Sequence, residues 1–273
     1  MNRLLEIRGL SVQYSRPGRQ SPMTALDGID LDVDSGETMG IVGESGSGKT
    51  TLGNVILGLV RPVAGSVLLN GESILAATPR RRRQLSRDLQ IIFQDPYGSL
   101  NPMRTVGQTL EEPLLAHLSL PRRQRRDRVA DALDRVGLER QDGGRYPGSF
   151  SGGQRQRIAI ARALMLDPKL VVCDEAVSAL DLSIQSQILN LLRSLQQELG
   201  LTLLFISHDL AVVRYMSDRV TVLHHGNVAE RGTAEQVCTR PTDPYTQRLL
   251  AAAPTPGGTR WRSAGSAGYE VRA

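Results

Sequence analysis

Only two cysteines, Cys173 and Cys238, occur in the 273 residues, too few for a disulfide framework or a cysteine-based cluster. Lysine is as scarce: Lys49 and Lys169 are the only two among 33 basic residues, and the rest are arginine. Aromatic residues form 4% of the chain, so no series of stacking platforms for single-stranded nucleic acid is visible. No apolar run reaches the roughly 18–20 residues that a membrane-crossing helix needs. The start, Met1-Asn2-Arg3-Leu4-Leu5-Glu6, lacks the apolar stretch of a signal peptide, and a cytosolic location is expected. No internal repeat is evident.

What is present suits one compact unit with a substantial core, or a main domain carrying a subdomain: 40% hydrophobic residues, 22% charged and a net charge of +5. The excess charge gathers in Arg80-Arg81-Arg82-Arg83 and in Arg122-Arg123-Gln124-Arg125-Arg126. Such clusters can meet nucleic acid or an anionic membrane, but here they are read as solvated helix faces.

Strand-like stretches fill the first third: Leu4 to Leu10, Ile29 to Val33 and Val67 to Leu69, bounded by turn formers such as Asp34-Ser35-Gly36 and Asn70-Gly71. Thr38 to Val42 is a short buried-looking strand that runs into a glycine-rich loop. From about Asn101 to Leu166 the spacing is helical. Leu170 to Cys173, Leu201 to Ile206 and Arg219 to Leu223 read as further strands. Between them, Ser183 to Leu199 places Ile184, Ile188, Leu191, Leu192, Leu195 and Leu199 on one helix face. Strands alternating with helices predict an α/β core with a mostly parallel sheet. The Gly-, Ser-, Thr- and Pro-rich stretch after Pro254 reads as a loose tail rather than a docking element around Trp261 and Tyr269.

Three motifs carry chemistry. Gly43-Glu44-Ser45-Gly46-Ser47-Gly48-Lys49-Thr50 fits G-x-x-x-x-G-K-[ST] between a strand and a helix, the context its mechanism requires. Its glycines let backbone N–H groups wrap phosphates, Lys49 would pair with the β- and γ-phosphates, and the Thr50 hydroxyl would ligate Mg²⁺. The strand Leu170-Val171-Val172-Cys173 ends in Asp174-Glu175, which puts two carboxylates where α/β sheets bind ligands. Asp174 is the candidate Mg²⁺ holder and Glu175 the residue that orients an attacking water. Ser151-Gly152-Gly153-Gln154 opens a helix and exposes a second anion-binding N-terminus. One P-loop fold has no use for two γ-phosphate sites, whereas two copies arranged head to tail would use both.

With Ser178-Ala179-Leu180-Asp181 and Ser207-His208-Asp209 occurring next in order, the chain resembles the nucleotide-binding subunit of ATP-binding cassette transporters from about Leu4 to Leu250. The resemblance implies a RecA-like P-loop core with an antiparallel β subdomain (residues 1–95 and 165–250), a helical subdomain carrying the signature (96–164) and a flexible tail (251–273). It implies that ATP and Mg²⁺ are bound, and that residues 43–51, Thr51 included, hold the phosphates. Tyr14 looks like the aromatic that stacks on adenine, and Gln94 like the glutamine that senses Mg²⁺ and the attacking water. Asp181 resembles the residue that communicates across the dimer, and His208 the switch that contacts the γ-phosphate and holds Glu175. His117, His224 and His225 match no motif and are read as structural.

Finer stretches resemble the peptide/nickel importer branch: Phe93 to Pro102, Ser178 to Gln185, and Pro244-Tyr245-Thr246-Gln247-Arg248-Leu249-Leu250. The branch implies an ATPase on the cytoplasmic face of the inner membrane. Its partners would be two permease subunits, a second ATPase subunit (a different chain or a copy of itself) and, indirectly, an external binding protein. Di- and oligopeptides are the expected cargo. Nickel-chelate and glutathione systems share these stretches, and Glu175-Ala176 in place of the commoner Glu-Pro leans toward the nickel type. The competing class is a soluble cassette ATPase acting on nucleic acid or ribosomes. The single cassette without a long heptad insertion argues against it, so no nucleic-acid partner is expected.

Overall fold

A computed structural model describes residues 2–15, 22–95 and 98–252. Its first layer is an antiparallel sheet of β1 (Arg3–Tyr14), β2 (Met23–Asp34), β4 (Ala64–Leu69) and β5 (Glu72–Ser73), in the order β2-β1-β4-β5. In β2 the residues Leu26, Ile29, Leu31 and Val33 are buried while most of those between them face solvent, as a sheet with one covered face requires.

The second layer holds β3 (Thr38–Val42), β6 (Leu89–Ile92), β7 (Leu170–Asp174), β8 (Thr202–Ser207), β9 (Arg219–His224) and β10 (Asn227–Thr233). Their order is β10-β9-β3-β8-β7-β6, with only β10 antiparallel. β3 and β8 are buried at every position, because helices or the first sheet cover both faces.

Side-chain alternation divides these strands between two cores. Met39, Ile41, Leu170, Val172, Leu204 and Ile206 join the antiparallel sheet and α1 (Lys49–Ile56) in one cluster. Val42, Val171, Cys173, Leu203 and Phe205 face the other, which is built mainly from helices. Those helices include α3 (Val106–His117), α4 (Arg122–Arg135) and α5 (Gly152–Leu164), which lie between β6 and β7 in sequence. They include α6 (Leu182–Leu199) as well, whose residues Ile188, Leu192 and Leu195 are buried in the predicted face. Gly200 ends α6 in the left-handed conformation that suits glycine.

Several elements lie outside the sequence reading. α2 (Pro79–Asp88) is an arginine-rich helix capped by the Thr78 side chain, and β6 continues from it without an intervening turn. β10 is a half-exposed edge strand, α7 (Leu210–Met216) comes after β8, and α8 (Ala234–Thr239) comes after β10. α9 (Pro244–Ala252) runs two residues past position 250, where the sequence reading starts a tail. Trp261 and Tyr269 lie outside the described residues.

The arginine clusters are partly structural. Arg82 donates to Gly58 O at 2.7 Å, Arg83 to Ala116 O at 2.5 Å, and Arg125 both to Glu111 at 2.6 Å and to Leu120 O at 2.5 Å. Arg81 pairs with Glu72.

One glycine governs how α5 meets α6. A Cβ on Gly153 would lie 2.6 Å from Ile184 Cγ2, well inside contact distance. Gly153→Ala is therefore expected to destabilise the fold by about 1–3 kcal/mol, as overpacking does. In an Ile184→Ala background the same change should be nearly neutral. Thermal unfolding of the four proteins checks this, and equal losses in both backgrounds would contradict the contact.

Candidate functional site

Parallel pairing brings the motifs to one edge of the second sheet. Val42 pairs with Ser207, Asp174 with Ile206, and Ile92 with Cys173, so β3, β8, β7 and β6 all end within two residues of the same level. The chain leaves these ends as the phosphate loop, Ser207-His208, Asp174-Glu175 and Phe93-Gln94. This edge is where open α/β sheets bind ligands.

The phosphate loop wraps the start of α1. A Cβ on Gly43 would sit 2.2 Å from Leu223 O, and one on Gly48 would meet Ala25 O and Leu26 Cδ2, each at 2.6 Å. Gly48 also caps α1 at φ 106°, in left-handed space. Lys49 is buried, and its ammonium donates to Gly43 O at 2.7 Å and Glu44 O at 2.8 Å. Burial lowers its pKa, partly offset by the nearby Glu175, Asp174 and Glu44 carboxylates. A compact ammonium fits between two carbonyls only a residue apart, where a planar guanidinium would not. Glu44, Ser45 and Gly46 line the loop's exposed rim, while Ser47 is buried with an unpartnered hydroxyl.

Opposite the lysine, Thr50 Oγ1 donates to Asp174 Oδ1 at 3.4 Å. Burial raises the Asp174 pKa and Glu175 raises it further, against the Thr50 hydrogen bond and Lys49. A carboxylate that resists ionisation beside a second carboxylate and a hydroxyl is a donor set relieved by a hard divalent cation. Among the described residues no group of three or more His, Cys, Asp or Glu could hold a metal alone. Mg²⁺ usually takes one or two protein oxygens together with phosphates, and Thr50 and Asp174 are the side chains here that could supply them.

Glu175 adopts φ 49°, a left-handed conformation uncommon for a residue with a Cβ. Its N–H donates to Ile206 O at 3.0 Å, and its carbonyl accepts from Ser178 N–H and Ser178 Oγ at 3.1 and 3.0 Å. Backbone held on both sides fixes where the carboxylate leaves the strand. His208 Nδ1 lies 3.4 Å from Glu175 Oε1. Gln94 is exposed two residues beyond β6, and Tyr14, at the end of β1, places its hydroxyl 3.4 Å from Thr51 Oγ1.

Ser151 caps α5 through a reciprocal pair. Its Oγ accepts from Gln154 N–H at 3.3 Å, and Gln154 Oε1 accepts from Ser151 N–H at 3.0 Å. Gly152 and Gly153 are the first two helical residues, so their N–H groups have no partner within the helix. Asp181 is the exposed residue that precedes α6.

Two groups at the site escaped the sequence reading. Gln156, fully buried, donates from Nε2 to Ala176 O at 2.7 Å and ties α5 to the turn after Glu175. Tyr245 of α9 stacks on His224, with ring centroids 3.7 Å apart, and accepts a hydrogen bond from Glu44 N–H at 3.1 Å. In the sequence, Tyr245 stood out only as part of a branch-specific stretch.

Residues 26–178 match the family model described as ABC transporter. The chain is 50% identical over 230 residues to the dipeptide transport ATP-binding protein DppF of Escherichia coli, covering 84% of this chain and 69% of that protein. It is 48% identical over 261 residues to the oligopeptide transport ATP-binding protein OppF of Salmonella typhimurium, covering 93% and 78%. Among solved structures, the ATP-binding cassette MJ0796, a dimer in a post-hydrolysis state bound to ADP and Pi, superposes with a TM-score of 0.76. The two are 29% identical, and the match covers 85% of this chain and 99% of that one. The cbiO1 protein of Clostridium perfringens, part of the cbiONQ transporter complex, gives a TM-score of 0.78 at 30% identity, covering 88% and 92%.

Because its folded-state pKa is raised, ionised Asp174 opposes folding above its unfolded-state pKa, and the penalty is complete above the folded-state value. Asp174→Asn is expected to raise the melting temperature of the nucleotide-free protein at pH 7 by on the order of 1–2 °C after solvent screening. The gain should vanish as pH falls through the carboxylate range. Calorimetry across pH checks it, and a variant less stable at pH 7 would reverse the sign.

Proposed function

Since this chain belongs to the ABC transporter family, we propose that it is the ATP-hydrolysing subunit that energises a membrane importer of di- and oligopeptides. The observation that carries the ATPase is the convergence of Lys49, Thr50, Asp174, Glu175 and His208 at one sheet edge. The peptide cargo is supported by the relatives' names, since the cargo never touches this subunit. The partners are two permease subunits, a second ATPase subunit and, at one remove, an external binding protein. The place of work is the cytoplasmic face of the inner membrane; among the described residues no helix is long and apolar enough to cross it.

The loop N–H groups of residues 43–51 cradle the phosphates, with Lys49 leaving its two carbonyl partners for the β- and γ-oxygens. Thr50 and Asp174, and Gln94 from beyond the end of β6, would hold Mg²⁺, which would supply neutralisation of charge on the phosphate oxygens. Glu175 orients the attacking water, and His208 fixes the Glu175 carboxylate while reaching the γ-phosphate. Tyr14 stacks on adenine. In a head-to-tail dimer the helical segment 96–164 presents Ser151 to Gln154 to the partner's nucleotide, where the free N–H groups of Gly152 and Gly153 meet the γ-phosphate. Asp181 signals across the same interface. Loss of the γ-phosphate removes that bond and lets the halves part.

Glu175→Gln is expected to bind ATP normally, lower hydrolysis by about 10²–10³-fold and accumulate a closed dimer. Size-exclusion chromatography with ATP and a phosphate-release assay read both, and retained turnover would remove Glu175 from this role. Ser151→Arg should leave nucleotide binding by its own chain intact and block hydrolysis at the partner's site. Affinity purification from detergent-solubilised membranes tests the importer: two permeases and a second ATPase are expected, whereas ribosomes or DNA without membrane partners would overturn it.

A further inference from the structure

We propose that Tyr245 is a positioning residue for nucleotide binding, through which the C-terminal helix α9 holds the phosphate loop in its binding shape. The inference rests on the ATPase reading above, and it concerns a residue that this reading leaves without a part.

Glu44 of the loop is gripped through its backbone from two sides. Its carbonyl accepts from Lys49 Nζ at 2.8 Å, and its N–H donates to the Tyr245 hydroxyl at 3.1 Å, 201 residues away in sequence. The ammonium and the phenol thus hold the two peptide groups that flank its Cα. Tyr245 is itself fixed. It is only 6% exposed, and its ring lies on His224 with an interplanar angle of 17°. His224 ends β9, the strand whose Leu223 carbonyl already crowds Gly43.

The start of α9 is anchored as firmly. Tyr245 N–H and Thr246 N–H donate to Asp243 Oδ1 at 2.8 and 3.2 Å. Glu230 of β10 accepts from Thr242 N–H at 2.8 Å, Thr242 Oγ1 at 2.9 Å and Asp243 N–H at 3.3 Å. The path from the edge strand to the phosphate loop is therefore continuous: Glu230, the α9 N-terminus, Tyr245, Glu44; the Lys49 ammonium, which turns to the phosphates when they bind, is not a lasting link in it. Each link is a hydrogen bond or a short run of backbone.

A loop held in advance loses less freedom when it closes on phosphates, so the contact favours the bound ground state. Such an interaction acts on KM and leaves kcat alone. It acts equally on ATP and ADP, because both place a β-phosphate in the same cradle.

Tyr245→Phe keeps the ring, its stack on His224 and the volume of the site, and removes only the oxygen. In the 273-residue chain, titration with fluorescent ATP and ADP analogues is expected to show both affinities weakened by about 3–10-fold, the range for one hydrogen bond to a part-buried backbone donor. KM for ATP should rise by the same factor while the loss spares kcat, and the thermal midpoint should stay close to wild type. Glu230→Gln, which loosens the anchor without touching the loop, should weaken both nucleotides in the same direction by a smaller factor. Wild-type affinity in Tyr245→Phe, or a loss confined to kcat, would overturn the proposal. A wild-type chain that binds no nucleotide would instead sink the ATPase reading itself, and the two failures are read in separate samples.

Discussion

The lateral register of the parallel strands is the constraint on which the site depends. β3, β7 and β8 belong to different parts of the chain, yet Val42 lies level with Ser207 and Asp174 with Ile206, one residue apart. Strand side chains alternate between faces, so a slip of one residue would send Met39 and Ile41 into the wrong core and withdraw Asp174 from Thr50. The two hydrophobic clusters, one under the antiparallel sheet and one under the helices, thus set the catalytic geometry as well as the stability. Neither needs a polar contact to do so.

Within that frame the site is held in mild electrostatic conflict. Lys49 is buried enough to lose part of its preference for charge, and Asp174 is raised by burial and by Glu175. Neither group is fully matched by the other. A triphosphate and a divalent cation would supply the missing partners together, one for the ammonium and loop N–H groups, the other for the carboxylates. Glu175 adds a geometric cost through its left-handed backbone, which the bonds to Ile206 and Ser178 sustain.

Much of this was legible in the sequence because the chemistry demands rare combinations. A glycine loop ending in one of only two lysines, and an apolar strand ending in Asp174-Glu175, leave few alternatives. The other lysine, Lys169, makes an ordinary pair with Asp88. β6 was hidden because no turn former separates Asp88 from Leu89, so a helix passes directly into a strand. β10 was hidden because an edge strand with mixed exposure carries no clean alternation. The arginine clusters resisted reading for a different reason. A guanidinium that caps a carbonyl, as Arg82 does for Gly58 and Arg83 for Ala116, looks the same in sequence as one that faces water. Tyr245 and Gln156 act through backbone atoms of distant residues, and no spacing rule announces such a partner.

The strand order has a consequence for synthesis. β3 lies in the middle of its sheet, between β8 and β9, and its neighbours are encoded about 160 residues later. At the roughly 5–20 residues per second of translation, Thr38 to Val42 stays without its hydrogen-bonding neighbours for on the order of 10–30 s after leaving the ribosome. During that interval the antiparallel sheet can form beside it, since β1, β2 and β4 are all encoded within the first 69 residues. The early sheet then covers one face of the apolar strand while its two edges stay open, waiting for chain not yet made. Until then those open edges offer unpaired backbone groups to edge-to-edge pairing, at the strand that leads into the phosphate loop.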